Sequence, residues 1–101
     1  MRLIIVALLG LAMSSQAAAY ETGQRLYASC AGCHGTAGFG TGGVLPVLAG
    51  QPKDALAASM RAFKAGTRPA AIMQQIAKGY TDEQIEQIAA WLAAQPVGRA
   101  K

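Results

Sequence analysis

The clearest pattern of apolar and polar positions lies late in the chain. Ile85, Ile88, Ala89 and Leu92 recur at spacings of three and four, the stripe of an amphipathic helix. Thr81, with Gln84 three residues on, fits a capping box. Asp82 and Glu83 stand where the helix dipole favours acids, and Gln95-Pro96 marks the stop. Trp91 flanks the apolar face. A second stripe, Leu56, Met60 and Phe63, predicts a helix over Pro52–Ala65. Pro52 suits its first position, Asp54 its first turn, Lys64 its last turn and Gly66 its end. Ile72, Met73, Ile76 and Ala77 predict a short helix ending near Gly79. Toward the start, Glu21–Ser29 reads as a helix with Thr22 as its cap. Gly23 and Tyr27 share one face of it, and a glycine there suits a close helix crossing.

Between these elements the pattern breaks. Gly35 to Gly43 holds five glycines in nine residues, which excludes a regular element. No Lys-Ser/Thr follows, so a phosphate-cradling loop is a weak reading. The apolar run from Val44 to Gly50 is interrupted by Pro46 and does not alternate like an exposed strand. The expectation is an all-α domain.

The first residues follow different rules. Met1-Arg2, an apolar run from Leu3 to Ala12, and then Ala17-Ala18-Ala19 describe a secretory signal peptide over residues 1–19, with cleavage after Ala19. The apolar run is too short for the ~20 residues of a membrane span. Residues 20–101 would form one mature domain, without stable membrane insertion. That domain keeps eight Lys/Arg against five Asp/Glu, too little charge to argue for nucleic acid. It is also small for a self-sufficient hydrophobic core.

The chemistry is concentrated in Cys30-Ala31-Gly32-Cys33-His34. This is C-x-x-C-H, the attachment signature of a c-type haem. Two thiols three positions apart can bond to two vinyl groups on one edge of the porphyrin. The adjacent imidazole is then placed to ligate the iron. A thioredoxin-like pair would want a preceding strand, and none is visible. A zinc site would need about four ligands, and these are the only Cys and His residues in the chain. A disulfide between such near neighbours would close a tiny loop and constrain little. One covalent haem would also supply the apolar surface that so short a chain lacks. A ligating histidine needs an acceptor for its other ring N–H. The segment around Pro46, twelve residues on, is a natural source, with a plain loop proline as the alternative. A thioether would be a suitable sixth ligand. Met60 sits within an apolar stripe, where core packing accounts for it. Met73 follows the connection over 67–71, and spacing favours it over Met60, although core packing beside Ile72 and Ile76 is open to it as well.

Taken together, these residues resemble a class I cytochrome c over Tyr20 to Gln95. The resemblance implies an all-α class I cytochrome c fold, about four short helices around one covalently bound haem. It implies covalent attachment at Cys30 and Cys33 and axial ligation by His34 and Met73. Pro46 matches the proline whose carbonyl receives the histidine N–H; Gly23, Tyr27 and Trp91 match the helix crossing. Leu48-Ala49-Gly50-Gln51-Pro52, Phe63 to Arg68 and Met73 to Asp82 further resemble the cytochrome subunit of flavocytochrome c sulfide dehydrogenase, in a single-haem form. That family pairs its cytochrome with an FAD-containing subunit in the periplasm. FAD would then belong only to the partner, and this chain alone would perform no catalysis. A freely diffusing monohaem carrier, feeding a terminal oxidase or another redox enzyme, shares much of the same pattern. A ligand-binding or peroxidase-like haem protein is a third class. Arg61, Lys64, Arg68 and Lys78 are candidates for a basic docking rim, against the plainer reading of solvated surface charge.

Overall fold

The computed structural model describes residues 17–40, 42 and 45–96. Residues 1–16, which hold most of the expected signal peptide, residues 97–101, Thr41, Gly43 and Val44 lie outside the described residues. Five helical segments follow one another, with no strand among the described residues. They are α1 (17–27), α2 (Ala31–His34), α3 (Lys53–Ala65), α4 (Met73–Ala77) and α5 (Asp82–Ala93).

Helix α1 begins earlier than Glu21. Ala17 to Ala19 are strong helix formers and extend it backward. Thr22 is therefore interior and caps nothing; its Oγ1 donates to the Ala18 carbonyl at 2.9 Å. The helix also stops at residue 27, and residues 28–30 form a turn leading into α2. The Cys30 N–H donates to the Tyr27 carbonyl at 2.7 Å.

Helix α5 starts as the sequence requires. The Gln84 N–H donates to Thr81 Oγ1 at 3.1 Å, and the Thr81 N–H donates to Gln84 Oε1 at 2.9 Å. Pro52 is the residue just before α3, one position earlier than expected, and Gly66 ends that helix in a left-handed conformation. Leu56 and Ala57 of α3 join Ile85, Ile88, Ala89 and Leu92 of α5 in one core. Outside that core, Lys53 and Arg61 of α3 both reach Glu86 of α5, the former at 3.2 Å, and Lys64 reaches Asp82 at 3.4 Å. Two cations of the expected basic rim, Arg61 and Lys64, are thus spent on carboxylates of α5. Their charge clamps two helices together.

The crossing of α1 and α5 depends on Gly23. A Cβ at that position would lie 2.7 Å from Trp91 Cβ and would collide with the Gln87 carbonyl oxygen. One turn on, the Tyr27 ring stacks on Trp91 with centroids 5.0 Å apart. Trp91 is only 4% exposed. It is part of the core, not a flanking residue, because α1 covers the side that α3 leaves open. Gly38 makes a second close approach. Its φ of +80° and missing side chain let Leu48 and Ala49 N–H groups donate to its carbonyl at 2.8 and 3.0 Å. The Gly50 N–H then donates to the Leu92 carbonyl at 2.9 Å, which ties this segment to α5.

Candidate functional site

Helix α2 is a single turn. Its first carbonyl partner is Cys30, which accepts from the His34 N–H at 2.9 Å. That turn turns the sequence spacing into geometry: it sets Cys30, Cys33 and His34 on a short rigid piece of backbone. The piece is anchored from below, because the Tyr27 hydroxyl donates to the Gly35 carbonyl at 2.5 Å. Burial pushes the Tyr27 phenol up to about 12, so it remains a donor at all ordinary pH values. Burial likewise raises the Cys30 thiol, which is half-buried, while Cys33 is exposed.

His34 is buried, and its Nδ1 lies 3.4 Å from the Pro46 carbonyl oxygen. An N–H on Nδ1 donates there, and Nε2 then carries the lone pair available to a metal. The loop between them folds back through the Gly38 contacts, which is how Pro46 comes to stand beside His34.

Above this turn lies a cavity of about 400 Å³, within the range of cofactor sites. Cys30, Cys33 and His34 form one wall. Met60 and Phe63 of α3 and Met73 of α4 form others, with leucines and isoleucines closing the rest. Gly23 lies away from this cavity, at the helix crossing with Tyr27 and Trp91; only Tyr27 of those three also reaches the cavity wall. The donor set fits a haem: two thiols on one edge, one imidazole, two thioethers and a largely apolar lining. Among the described residues no group of three or more His, Cys, Asp or Glu is gathered as a bare metal ion would need.

The family model for cytochrome c matches residues 20–95. The chain belongs to the cytochrome c family. Membership carries covalent haem c and an electron-transfer function, on a class I cytochrome c-like fold. A cytochrome c4 from Acidithiobacillus ferrooxidans is similar in structure, with a TM-score of 0.72 and 32% identity, over 76% of this chain and 50% of that one. The cytochrome subunit of sulfide dehydrogenase from Chlorobaculum tepidum is 42% identical over 66% of this chain and 60% of its own length. The thiosulfate dehydrogenase electron acceptor from Thiomonas intermedia is 38% identical over 72% of this chain, but over only 35% of its own length. Cytochrome c-554(548) from Halomonas halodenitrificans is 38% identical over 72% of this chain and 92% of its own. The chain thus spans about a third to three-fifths of the sulfur-dehydrogenase relatives and nearly all of the last.

Several site features were not evident beforehand. Tyr27 supports Gly35 as well as packing on Trp91. Tyr80 hydrogen-bonds Ser29 at the root of the Cys30 turn. The Arg68 guanidinium sits 4.6 Å from the centre of the Phe63 ring, at the cavity wall. The first and third have no sequence signal beyond their residue types. The second joins positions 51 residues apart, which periodicity cannot see.

Proposed function

We propose that this chain is the electron-accepting cytochrome of a periplasmic dehydrogenase acting on a reduced sulfur compound, with an FAD-containing sulfide dehydrogenase subunit as donor. Haem c supplies a one-electron iron couple. Cys30 and Cys33 would tether it, and His34 and Met73 would ligate its iron. Pro46 orients His34. The observation that carries the ligand choice is the different engagement of the two methionines. Both line the cavity, but Met60 also packs against the core cluster of α3 and α5, which Met73 does not join. Turning Met60 to a metal would cost some of that packing.

Ligation by both His34 and Met73 would keep small molecules from the metal. The chain's own residues therefore bind, orient and exclude water, and bond-making belongs to the donor enzyme. The leader over residues 1–19 would direct export, with the mature chain starting at Tyr20. No described helix is long and apolar enough to cross a membrane.

The likeness to a sulfide dehydrogenase subunit supports the FAD donor. The likeness to thiosulfate dehydrogenase electron acceptors supports a second reading, a carrier for that enzyme. Stopped-flow reduction separates them. Rapid reduction by the FAD subunit with sulfide supports the first; reduction only by thiosulfate dehydrogenase with thiosulfate supports the second. For the ligand, the red absorption band of a thioether–iron(III) bond should vanish in Met73→Ala and persist in Met60→Ala. The reverse pattern would reject Met73.

A further inference from the structure

Helix α4 is too short to stand alone. It has five residues, far fewer than the ~12–15 an isolated helix needs. Its buried Ala77 and its packing on α3 hold one side, and Ile72 and Ile76 line the cavity. Two polar ties fix its ends. At its start, Gln74 Nε2 donates to the Arg68 carbonyl at 3.1 Å. Past its end, the Tyr80 N–H donates to the Ala77 carbonyl at 3.2 Å, so the position of Tyr80 fixes the last turn.

Tyr80 in turn is hydrogen-bonded to Ser29. The Ser29 hydroxyl has one proton, and it donates to the Leu26 carbonyl at 3.2 Å. The Tyr80 hydroxyl is then the donor and Ser29 Oγ the acceptor. Leu26 C=O is one of the carbonyls left over at the end of α1. Ser29 is also the residue before Cys30, with Oγ 4.0 Å from its sulfur. A relay of two hydrogen bonds therefore runs from the end of α4 to the end of α1, beside the thiol that would anchor the cofactor.

We infer that Ser29 and Tyr80 are positioning residues that latch α4 to the cysteine turn and so hold Met73 against the metal. This rests on the reading of Met73 as axial ligand. Breaking the latch frees the far end of α4 and lets an outside ligand displace the thioether more readily.

The test uses the oxidised holoprotein and imidazole as the competing ligand, followed optically. Ser29→Ala and Tyr80→Phe should each raise imidazole affinity about fivefold, the size that one net hydrogen bond supports. The double variant should match either single, since both break one relay. Ser29→Thr, which keeps the hydroxyl, should restore the wild-type affinity. Glu86→Gln loosens α3 against α5 and should leave the affinity unchanged. If Ser29→Ala and Tyr80→Phe lower the melting temperature but not the resistance to imidazole, or if their effects add, the latch is overturned. Met73→Ala separates this from failure of the ligand reading. If the red absorption band survives in Met73→Ala, the ligand assignment itself has failed and the latch falls with it.

Discussion

At the scale of single residues, Trp91 and Tyr27 carry the sharpest expectations. The Trp91 Nε1 is buried with no hydrogen-bond partner among the described residues. What Trp91 contributes is therefore ring area, not a hydrogen bond. Trp91→Phe should cost little, whereas Trp91→Ala should cost about 3–5 kcal/mol, as large-to-small core changes do; denaturant titration measures both. Tyr27→Phe keeps the stacking and removes one of two donors to the Gly35 carbonyl, which the Gly38 N–H still reaches at 3.2 Å, for a loss of about 0.5–1.5 kcal/mol. Its pH dependence is distinctive. The folded state holds the phenol proton up to about 12, above the unfolded value of ~10. Stability from this group is complete below pH ~10 and falls as pH rises toward 12. Alkaline unfolding curves of Tyr27→Phe should lack that component.

At the scale of elements, two contacts decide how the helices sit. Gly23→Ala puts a methyl group where the α5 backbone already is, and overpacking of this kind costs about 1–3 kcal/mol. A fall in melting temperature, with the haem spectrum unchanged, is the expected outcome. The α3–α5 clamp has its own signature in acid. Hydrogen bonds from Arg61 and then Lys53 hold the Glu86 carboxyl below the usual carboxylate range. Its contribution is present above the unfolded value of ~4.3 and is lost as pH falls through the lower, folded value. Glu86→Gln should flatten the acid limb of a stability-against-pH curve, and salt should do so in part. These elements also divide what the sequence discloses from what it hides. The Thr81–Gln84 box, the stripes of α3 and α5 and the Cys30–His34 turn are local, so spacing alone reveals them. Gly23 and Tyr27 on one face signal a close crossing locally; Trp91 as their partner came from resemblance, and the structure adds how deep it sits. Thr22 misled because helix propensity in the preceding alanines outweighs a cap residue. The Ser29–Tyr80 relay and the double pairing of Glu86 stay hidden because they join residues distant in the chain, and their side chains look like ordinary surface.

At the scale of the whole molecule, apolar side chains line an open cleft of about 400 Å³, and so short a chain is marginal without a group that completes its core. A Cys30→Ala, Cys33→Ala chain without covalent attachment should therefore lose cooperative thermal unfolding and much of its helical circular dichroism. Retention of a sharp transition would mean that the core closes by itself.

The meeting of α1 with α5 has a consequence for how the protein comes into being. The surfaces that complete one another belong to helices far apart in the chain. During synthesis, α1 waits with its aromatic side bare until α5 has emerged. A chain stopped before residue 91 leaves the Tyr27 ring without its stacking partner, so such truncated products should be exposed to quality control.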